Sequence, residues 1–128
     1  MNEAGLFNFL KEKFLPSLER SEDKYGSFDC FCRQKNVYIE LKCRNTHYEK
    51  LLIEKVKYQR LMEDAKDRGM IPIYINSTPD GIWAFNLKNL EIDWFQKGNL
   101  PATTEFENNE KVSKEVGHIF LQMGKRLA

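Results

Sequence analysis

Two short runs of alternating residues carry the side chains best suited to chemistry in this chain. Asp29 lies in the first run, Glu40 and Lys42 lie in the second, and ten residues separate the two carboxylates. Alternation with a period of two predicts a strand for each run, and the polar stretch 33–36 is short enough to close a hairpin. Alternate residues share one face of a strand, so the carboxylates and the lysine can meet on one face of the sheet.

This combination of side chains is suited to a metal-dependent hydrolytic site. Two carboxylates a few ångströms apart repel each other unless a cation lies between them, and Mg²⁺ prefers carboxylate and water oxygens. A lysine beside them can hold or orient a nucleophilic water. A glutamate two residues before a lysine is also common on exposed strands of ordinary soluble proteins, so the elements around the motif must support the interpretation.

The order of these residues resembles the PD-(D/E)XK nuclease superfamily. The matching residues are Asp29 and, after ten residues, Glu40-Leu41-Lys42, while Phe28 stands where that family often has a proline. The resemblance implies that Asp29 and Glu40 bind Mg²⁺ or Mn²⁺ with help from the Leu41 carbonyl. It also implies that Lys42 assists the attacking water.

The resemblance also implies the fold class. We expect one α/β domain over residues 1–128, with a restriction-endonuclease-like mixed β-sheet flanked by helices. Its core would run α-β-β-α-β and would be followed by a C-terminal β-hairpin and helix.

The N-terminal segment is predicted to add a further carboxylate to the site. Apolar residues at every fourth position predict a helix over residues 3–15 that Pro16 ends or kinks. The resemblance to resolvase-like members of the superfamily implies that Glu3 points into the site as a metal or water ligand. Glu12 lies off the apolar stripe and Glu19 lies beyond the proline, which favours Glu3. The alternative role for Glu3 is a favourable charge at a helix N-terminus.

The segment after the hairpin is predicted to be one long amphipathic helix from His47 to Arg68. Lys55 and Gln59 fall within its apolar face, where burial costs free energy unless they find partners. The resemblance implies that a Gln or Lys on this helix points at the metal site, and Gln59 corresponds to that residue. The alternatives are that Lys55 extends along its stem to solvent and that Gln59 bonds a backbone carbonyl. Lys57 is expected to be solvated.

The rest of the chain supplies the frame of the predicted fold. Gly69 is expected to cap the long helix, and the strand after it should run parallel to the second strand of the hairpin. The remaining elements are a polar loop or short irregular strand at Ser17–Ser27, a buried strand at Met70–Asn76, a hairpin of Gly81–Leu87 with Leu90–Phe95, a loop at Gly98–Asn109, and an amphipathic helix from Val112 to Leu127.

Composition excludes several classes of protein. The chain has 128 residues, of which 41% are hydrophobic and 30% charged, as expected for a single soluble domain. No run approaches the ~18 apolar residues of a membrane span, and the first residues lack the basic end of a signal peptide, so we expect a cytoplasmic protein without membrane contact. A zinc site composed of Cys30, Cys32, Cys43 and His47 fits no common spacing, and three cysteines argue against a disulfide framework.

Charge is distributed unevenly along the chain. The formal net charge is only +1, but eight Lys or Arg residues lie between Arg33 and Arg60 against three Glu residues. The predicted site is therefore locally basic, as phosphate binding requires. We expect Arg33 and Lys35 in the hairpin turn, Arg44 after the active strand, and Lys55 to contact nucleic acid.

Two functions are consistent with these observations. The first is a Mg²⁺-dependent DNA endonuclease that resembles Holliday-junction resolvases or small phage-type nucleases. It would act as a homodimer through the apolar surface of the C-terminal helix and of the hairpin that carries Trp83 and Trp94. The alternative is a non-catalytic binding or assembly protein that keeps the fold without its chemistry.

Overall fold

The computed structural model describes residues 1–22, 28–101 and 110–128 and confirms the predicted mixed α/β fold class. Within these residues the chain forms two α-helices, two short 3₁₀ turns and nine strands. The helices are α1 (Glu3–Lys13) and α2 (Lys55–Asp67). The strands are β1 (Glu19–Arg20), β2 (Cys30–Cys32), β3 (Val37–Cys43), β4 (Lys50–Glu54), β5 (Ile71–Thr78), β6 (Gly81–Asn86), β7 (Phe95–Pro101), β8 (Lys111–Phe120) and β9 (Lys125–Arg126).

The strands form two sheets. The larger sheet has the order β1-β2-β3-β5-β6-β9, and the smaller has the order β4-β8-β7. As predicted, β2 and β3 form an antiparallel hairpin, and β5 runs parallel to β3. All pairs of the smaller sheet are antiparallel. No helix in the described part of the chain has the length and apolarity needed to span a membrane.

The turn between β2 and β3 is tied to the end of α2. Asn36 closes the turn with a φ of 57°, a left-handed conformation that asparagine tolerates better than most residues. Its side-chain Nδ2 donates a 3.0 Å hydrogen bond to the carbonyl of Gly69. Gly69 itself has a φ of 65° and ends α2, as predicted. The hairpin is therefore held at both its base and its turn.

The larger sheet separates two apolar layers. Helix α1 begins with the Asn2 side chain accepting a 2.8 Å hydrogen bond from the Gly5 N–H, and it buries Leu6 and Leu10 against one face. Cys30 and Cys32 lie in this layer as buried free thiols, as expected for small apolar residues. The opposite face is covered by α2 and the smaller sheet around a core of aromatic and aliphatic residues.

The prediction of one helix from His47 to Arg68 is wrong in its first third. Residues Lys50–Glu54 form β4, and α2 begins only at Lys55. Leu51 and Ile53 are buried while Leu52 between them is only partly buried, which is the period of a strand. The reason is tertiary, because β4 pairs along its whole length with β8, more than sixty residues later in the chain.

The predicted C-terminal helix is also wrong. Its apolar residues lie mainly on β8, which is the central strand of the smaller sheet, and a short turn and β9 follow. The predicted hairpin of Gly81–Leu87 with Leu90–Phe95 does not form, because β6 pairs with β5 and β9 instead. Ile92 and Trp94 pack against Gly117 of β8, where a Cβ atom would clash with Cγ2 of Ile92 and press on the Trp94 ring.

Strand residues occur in both polar segments, of which Ser17–Ser27 is predicted as a loop or a short irregular strand and Gly98–Asn109 as a loop. The segment Ser17–Ser27 includes β1, which pairs with β2, and residues 23–27 lie outside the described residues. The segment Gly98–Asn109 begins within β7, and residues 102–109 again lie outside the described residues. Both strands depend on main-chain pairing with a partner strand. A polar sequence carries no local signal of such pairing.

Candidate active site

Asp29 and Glu40 meet where the β2–β3 hairpin opens. Asp29 immediately precedes β2, and its Oδ2 accepts a 2.7 Å hydrogen bond from the Leu41 N–H of β3. This bond continues the pairing of the two strands through a side chain. It brings the Asp29 carboxylate beside Glu40, whose carboxyl group it contacts by hydrogen bonding.

Glu40 is largely buried and lies beside both a second carboxylate and an ammonium group. Its side chain is only 13% exposed. Burial raises the pKa of Glu40 from 4.5 to about 7; the hydrogen bond from Lys57 opposes this rise, and the negative charge of Asp29 adds to it. A strongly raised carboxyl pKa with a specific charge partner is typical of functional sites.

Lys57 is the residue of α2 that reaches this carboxylate. Its Nζ lies 2.8 Å from Oε1 of Glu40. The expectation that Lys57 is solvated is therefore wrong. In the observed helix Lys57 precedes the buried Leu61 by four residues and the buried Ala65 by eight, so the three residues share one face.

A third carboxylate approaches Asp29 from α1. The pKa of Glu3 is raised, first by burial and then by the charge and hydrogen bonding of Asp29, while the charge of Arg20 opposes the rise. Arg20 Nη1 lies 3.7 Å from Oε1 of Glu3. Both neighbours of Asp29 thus experience its negative charge, from opposite layers of the fold.

The chemistry of these side chains fits a hard divalent cation. Carboxylate oxygens are the ligands that Mg²⁺ and Mn²⁺ prefer, and a cation would relieve the mutual repulsion of Glu3, Asp29 and Glu40. Across residues 1–22, 28–101 and 110–128, no group of three or more His, Cys, Asp or Glu side chains is arranged to hold a metal as it stands. The Lys57 ammonium contacts Oε1 of Glu40 and the Leu41 N–H donates to Oδ2 of Asp29, so these two oxygen atoms already have partners.

The other residues predicted for catalysis, and the helical residue Lys55, differ in how they are placed relative to Glu40. Lys42 is exposed and follows Glu40 by two residues on β3, so it projects from the same face of that strand. Gln59 is exposed on α2. Lys55 Nζ lies 3.2 Å from Oε2 of Glu115 on β8. On α2, Lys57 rather than Gln59 or Lys55 contacts Glu40.

The residues predicted to bind phosphates differ in accessibility. Arg33 has a 79% exposed side chain near Glu19, and Lys35 is exposed in the hairpin turn. Arg44 is engaged inside the protein, where its Nε donates a 2.7 Å hydrogen bond to Oδ1 of Asn76. Its Nη2 also donates to the Leu52 carbonyl at 3.1 Å. Arg44 thus links the two sheets.

The mixed α/β fold agrees with the fold class that the motif predicts. No protein-family model and no curated protein matches the chain. Among solved structures, the chain is similar to Hjc, a Holliday junction resolvase from the archaeal hyperthermophile Archaeoglobus fulgidus. The likeness has a TM-score of 0.62 and 18% sequence identity and covers 96% of this chain and 94% of the resolvase chain. At 18% identity this likeness shows the fold alone. The fold agrees with the one that the resemblance in the sequence implies.

Proposed function

We propose that this chain is a divalent-metal-dependent DNA endonuclease that prefers branched DNA such as a Holliday junction. The observation that carries the proposal is the convergence of Asp29 and Glu40 on neighbouring strands, in a fold shared with a Holliday junction resolvase. The spacing of the motif, the raised pKa of Glu40 and the fold all support the same site.

The proposed metal ligands are Asp29 and Glu40, with the Leu41 carbonyl and Glu3 as further oxygen donors. A bound Mg²⁺ or Mn²⁺ ion would supply positive charge to stabilise the oxygen that leaves phosphorus. Asp29 is held in place by the Leu41 N–H, so its carboxylate is positioned before any ligand arrives. Glu40 is held by Lys57 in the free protein.

The proposed role of Lys42 is to orient the attacking water. It projects from β3 on the Glu40 face and is exposed, so its ammonium is free to approach a substrate phosphate. Arg33 and Lys35 would contact flanking phosphates, because both are exposed at the turn of the same hairpin. Gln59, Lys55 and Arg44 are weaker candidates for contact with DNA or water, since two of them have partners within the protein.

We also propose that the protein acts as a homodimer, with a different surface from the one that a C-terminal helix would have offered. Phe120 of β8 is 41% exposed. It shares a strand face with His118, whose ring lies 5.2 Å from that of Phe95. A symmetric pair of these surfaces would place two sites on one particle, which would let it cut two strands.

The direct test is cleavage of a four-way junction, a flap, linear duplex and single-stranded DNA with Mg²⁺ or Mn²⁺. We expect Glu40→Ala and Lys42→Ala to lose cleavage by a factor of at least about 100, because each removes a group from the reacting centre. Lys88→Gln, which removes an exposed cation elsewhere, is the matched control. Undiminished cleavage by the first two variants would refute the assignment. If the four-way junction is cleaved less than about threefold better than the other DNAs, a difference below about 1 kcal/mol, the result would favour a general nuclease.

A non-catalytic DNA-binding or assembly protein remains the second candidate. The observation in its favour is that Glu40 has Lys57 as a partner and Asp29 has the Leu41 N–H, so both are satisfied without a cation. Calorimetric titration with Mn²⁺ separates the two functions. Binding that Glu40→Gln abolishes supports the enzyme, whereas tight DNA binding without any Mn²⁺ binding supports the second candidate.

A further inference from the structure

A cavity of about 280 Å³ lies at the turn end of the β2–β3 hairpin. Its position follows from the alternation that also places the carboxylates. Phe31 and Tyr38 are direct cross-strand partners and share the face of Asp29 and Glu40. Tyr38 precedes Glu40 by two residues, which is about 7 Å along a strand. The cavity is lined by Phe31, Arg33, Asn36, Tyr38, Arg68 and Met70.

Planar cations cover both aromatic rings of the cavity. The guanidinium carbon of Arg33 lies 5.3 Å from the ring centre of Phe31, and that of Arg68 lies 5.0 Å from the ring centre of Tyr38. The two rings are stacked, with centres 5.9 Å apart and planes 23° apart. A guanidinium placed over a ring keeps its other face and its N–H edge available.

Two further contacts hold residues of the cavity lining in place. Phe28 packs edge-on against Tyr38 with ring centres 4.4 Å apart. Asn36 joins the hairpin turn to the end of α2 through its bond to Gly69. A ligand would therefore meet surfaces that are already ordered, which reduces the entropy lost on binding.

The two arginines can exchange their present partners for a phosphate. Arg33 Nε lies 3.6 Å from a Glu19 carboxylate, and both side chains are more than half exposed. Arg68 Nε lies 3.3 Å from Asp64 on the same helix, with its own side chain 45% exposed. Ion pairs this exposed contribute little free energy, so a phosphate can replace the carboxylates at small cost.

We propose that this cavity binds one unpaired nucleotide of a DNA strand next to the carboxylate site. The base would stack on the outward faces of the guanidinium planes that Phe31 and Tyr38 support, and its phosphate would accept hydrogen bonds from the N–H edges of Arg33 and Arg68. This inference rests on the proposed function and deepens it, because branched DNA offers unpaired or easily unstacked nucleotides at the branch, whereas continuous duplex offers none.

Binding without catalysis tests the proposal. A fluorescently labelled duplex with a short single-stranded extension is compared with the same duplex fully paired, both without divalent metal. We expect the unchanged protein to favour the extended DNA by about tenfold, because stacking of one unpaired base adds to its affinity. The variants Phe31→Leu and Arg68→Lys should remove most of this preference and leave fully paired DNA bound as before.

The lysine variant is the decisive control, because it keeps the charge and removes the planar group. If Arg68→Lys and Phe31→Leu keep the preference, with circular dichroism showing an intact fold, the cavity does not bind a base and the inference is overturned. The same conclusion follows if the variants weaken both DNAs equally, since that result indicates charge alone. If the unchanged protein binds neither DNA, the proposed function fails as well, which is a separate and distinguishable result.

Discussion

Replacing Glu40 with glutamine isolates the energetic consequence of burying a carboxylate at the candidate site. The side chain is 13% exposed, and its pKa is raised from 4.5 to about 7, mainly by burial. The folded protein therefore holds a proton on Glu40 over a pH range in which the unfolded chain has released it. Glutamine has nearly the same shape and does not titrate in this range.

The sign of the pH dependence follows from proton binding. Between pH 4.5 and about 7 the folded state binds more protons at this position than the unfolded state, so stability falls as the pH rises. A carboxyl whose pKa rises from 4.5 to about 7 costs the folded state about 3 kcal/mol once it is ionised, at about 1.4 kcal/mol per pH unit. For a domain of this size that corresponds to a change in Tm of roughly 10 °C.

The assay is urea unfolding of the unchanged protein and of Glu40→Gln, without divalent metal, from pH 4.5 to 8.5. We expect the stability of the unchanged protein relative to the variant to fall by about 3 kcal/mol across this range. Titrating groups outside the site act in both proteins and cancel in the difference. Glu12→Gln, at an exposed position on α1, is the matched control and should show a flat difference.

Added metal should reverse the loss. Mn²⁺ at about a hundredfold excess over its Kd should stabilise the unchanged protein by roughly 3 kcal/mol at pH 8 and leave Glu40→Gln unaffected. A pH difference smaller than about 0.5 kcal/mol would refute the burial argument, because a solvated Glu40 has no reason to prefer its neutral form. Equal stabilisation of both proteins by Mn²⁺ would place the metal elsewhere.

Three further changes test other parts of the structure. Lys57→Met should raise the pKa of Glu40 by about one pH unit or more in an NMR titration, because it removes the ammonium at 2.8 Å, and an unchanged or lower pKa would contradict the contact. Gly117→Val should lower the free energy of unfolding by about 1–3 kcal/mol through a steric clash, whereas Gly98→Ala, in open space, should change it by only a few tenths. Phe120→Glu should change the mass measured by light scattering from that of a dimer to that of a monomer at tens of micromolar. A monomer mass for the unchanged protein would contradict the proposed dimer.

The β2–β3 hairpin and the crossover from β3 to β5 were predictable because their sequence signals are local. Alternation over a few residues, a polar turn and an apolar strand after a glycine cap are each contained in a short window of sequence. The smaller sheet was not predictable in this way. The residues of β8 also fit a helical spacing, and only their pairing with β4 and β7 decides the outcome.

The carboxylate pair at the site was predictable from spacing, whereas the lysine that contacts it was not. Asp29 and Glu40 belong to one hairpin, so their relation depends on strand alternation alone. The face of a helix depends on which residues the helix contains. The apolar face inferred for a helix that includes Leu51 and Leu52 points in a different direction from the face that is buried in a helix beginning at Lys55.

The start of α2 therefore decides which side chain reaches the site. Glu54 is the residue before α2, with an extended backbone, so Lys57 falls in the first turn of the helix. Counting from there, residues 57, 61 and 65 form one stripe, and its two later members are buried in the core beneath the larger sheet. The first member then lies over β3, where the partly exposed ammonium of Lys57 reaches a buried anion. Glu40 is that anion, so the contact follows from the helix boundary together with the strand alternation.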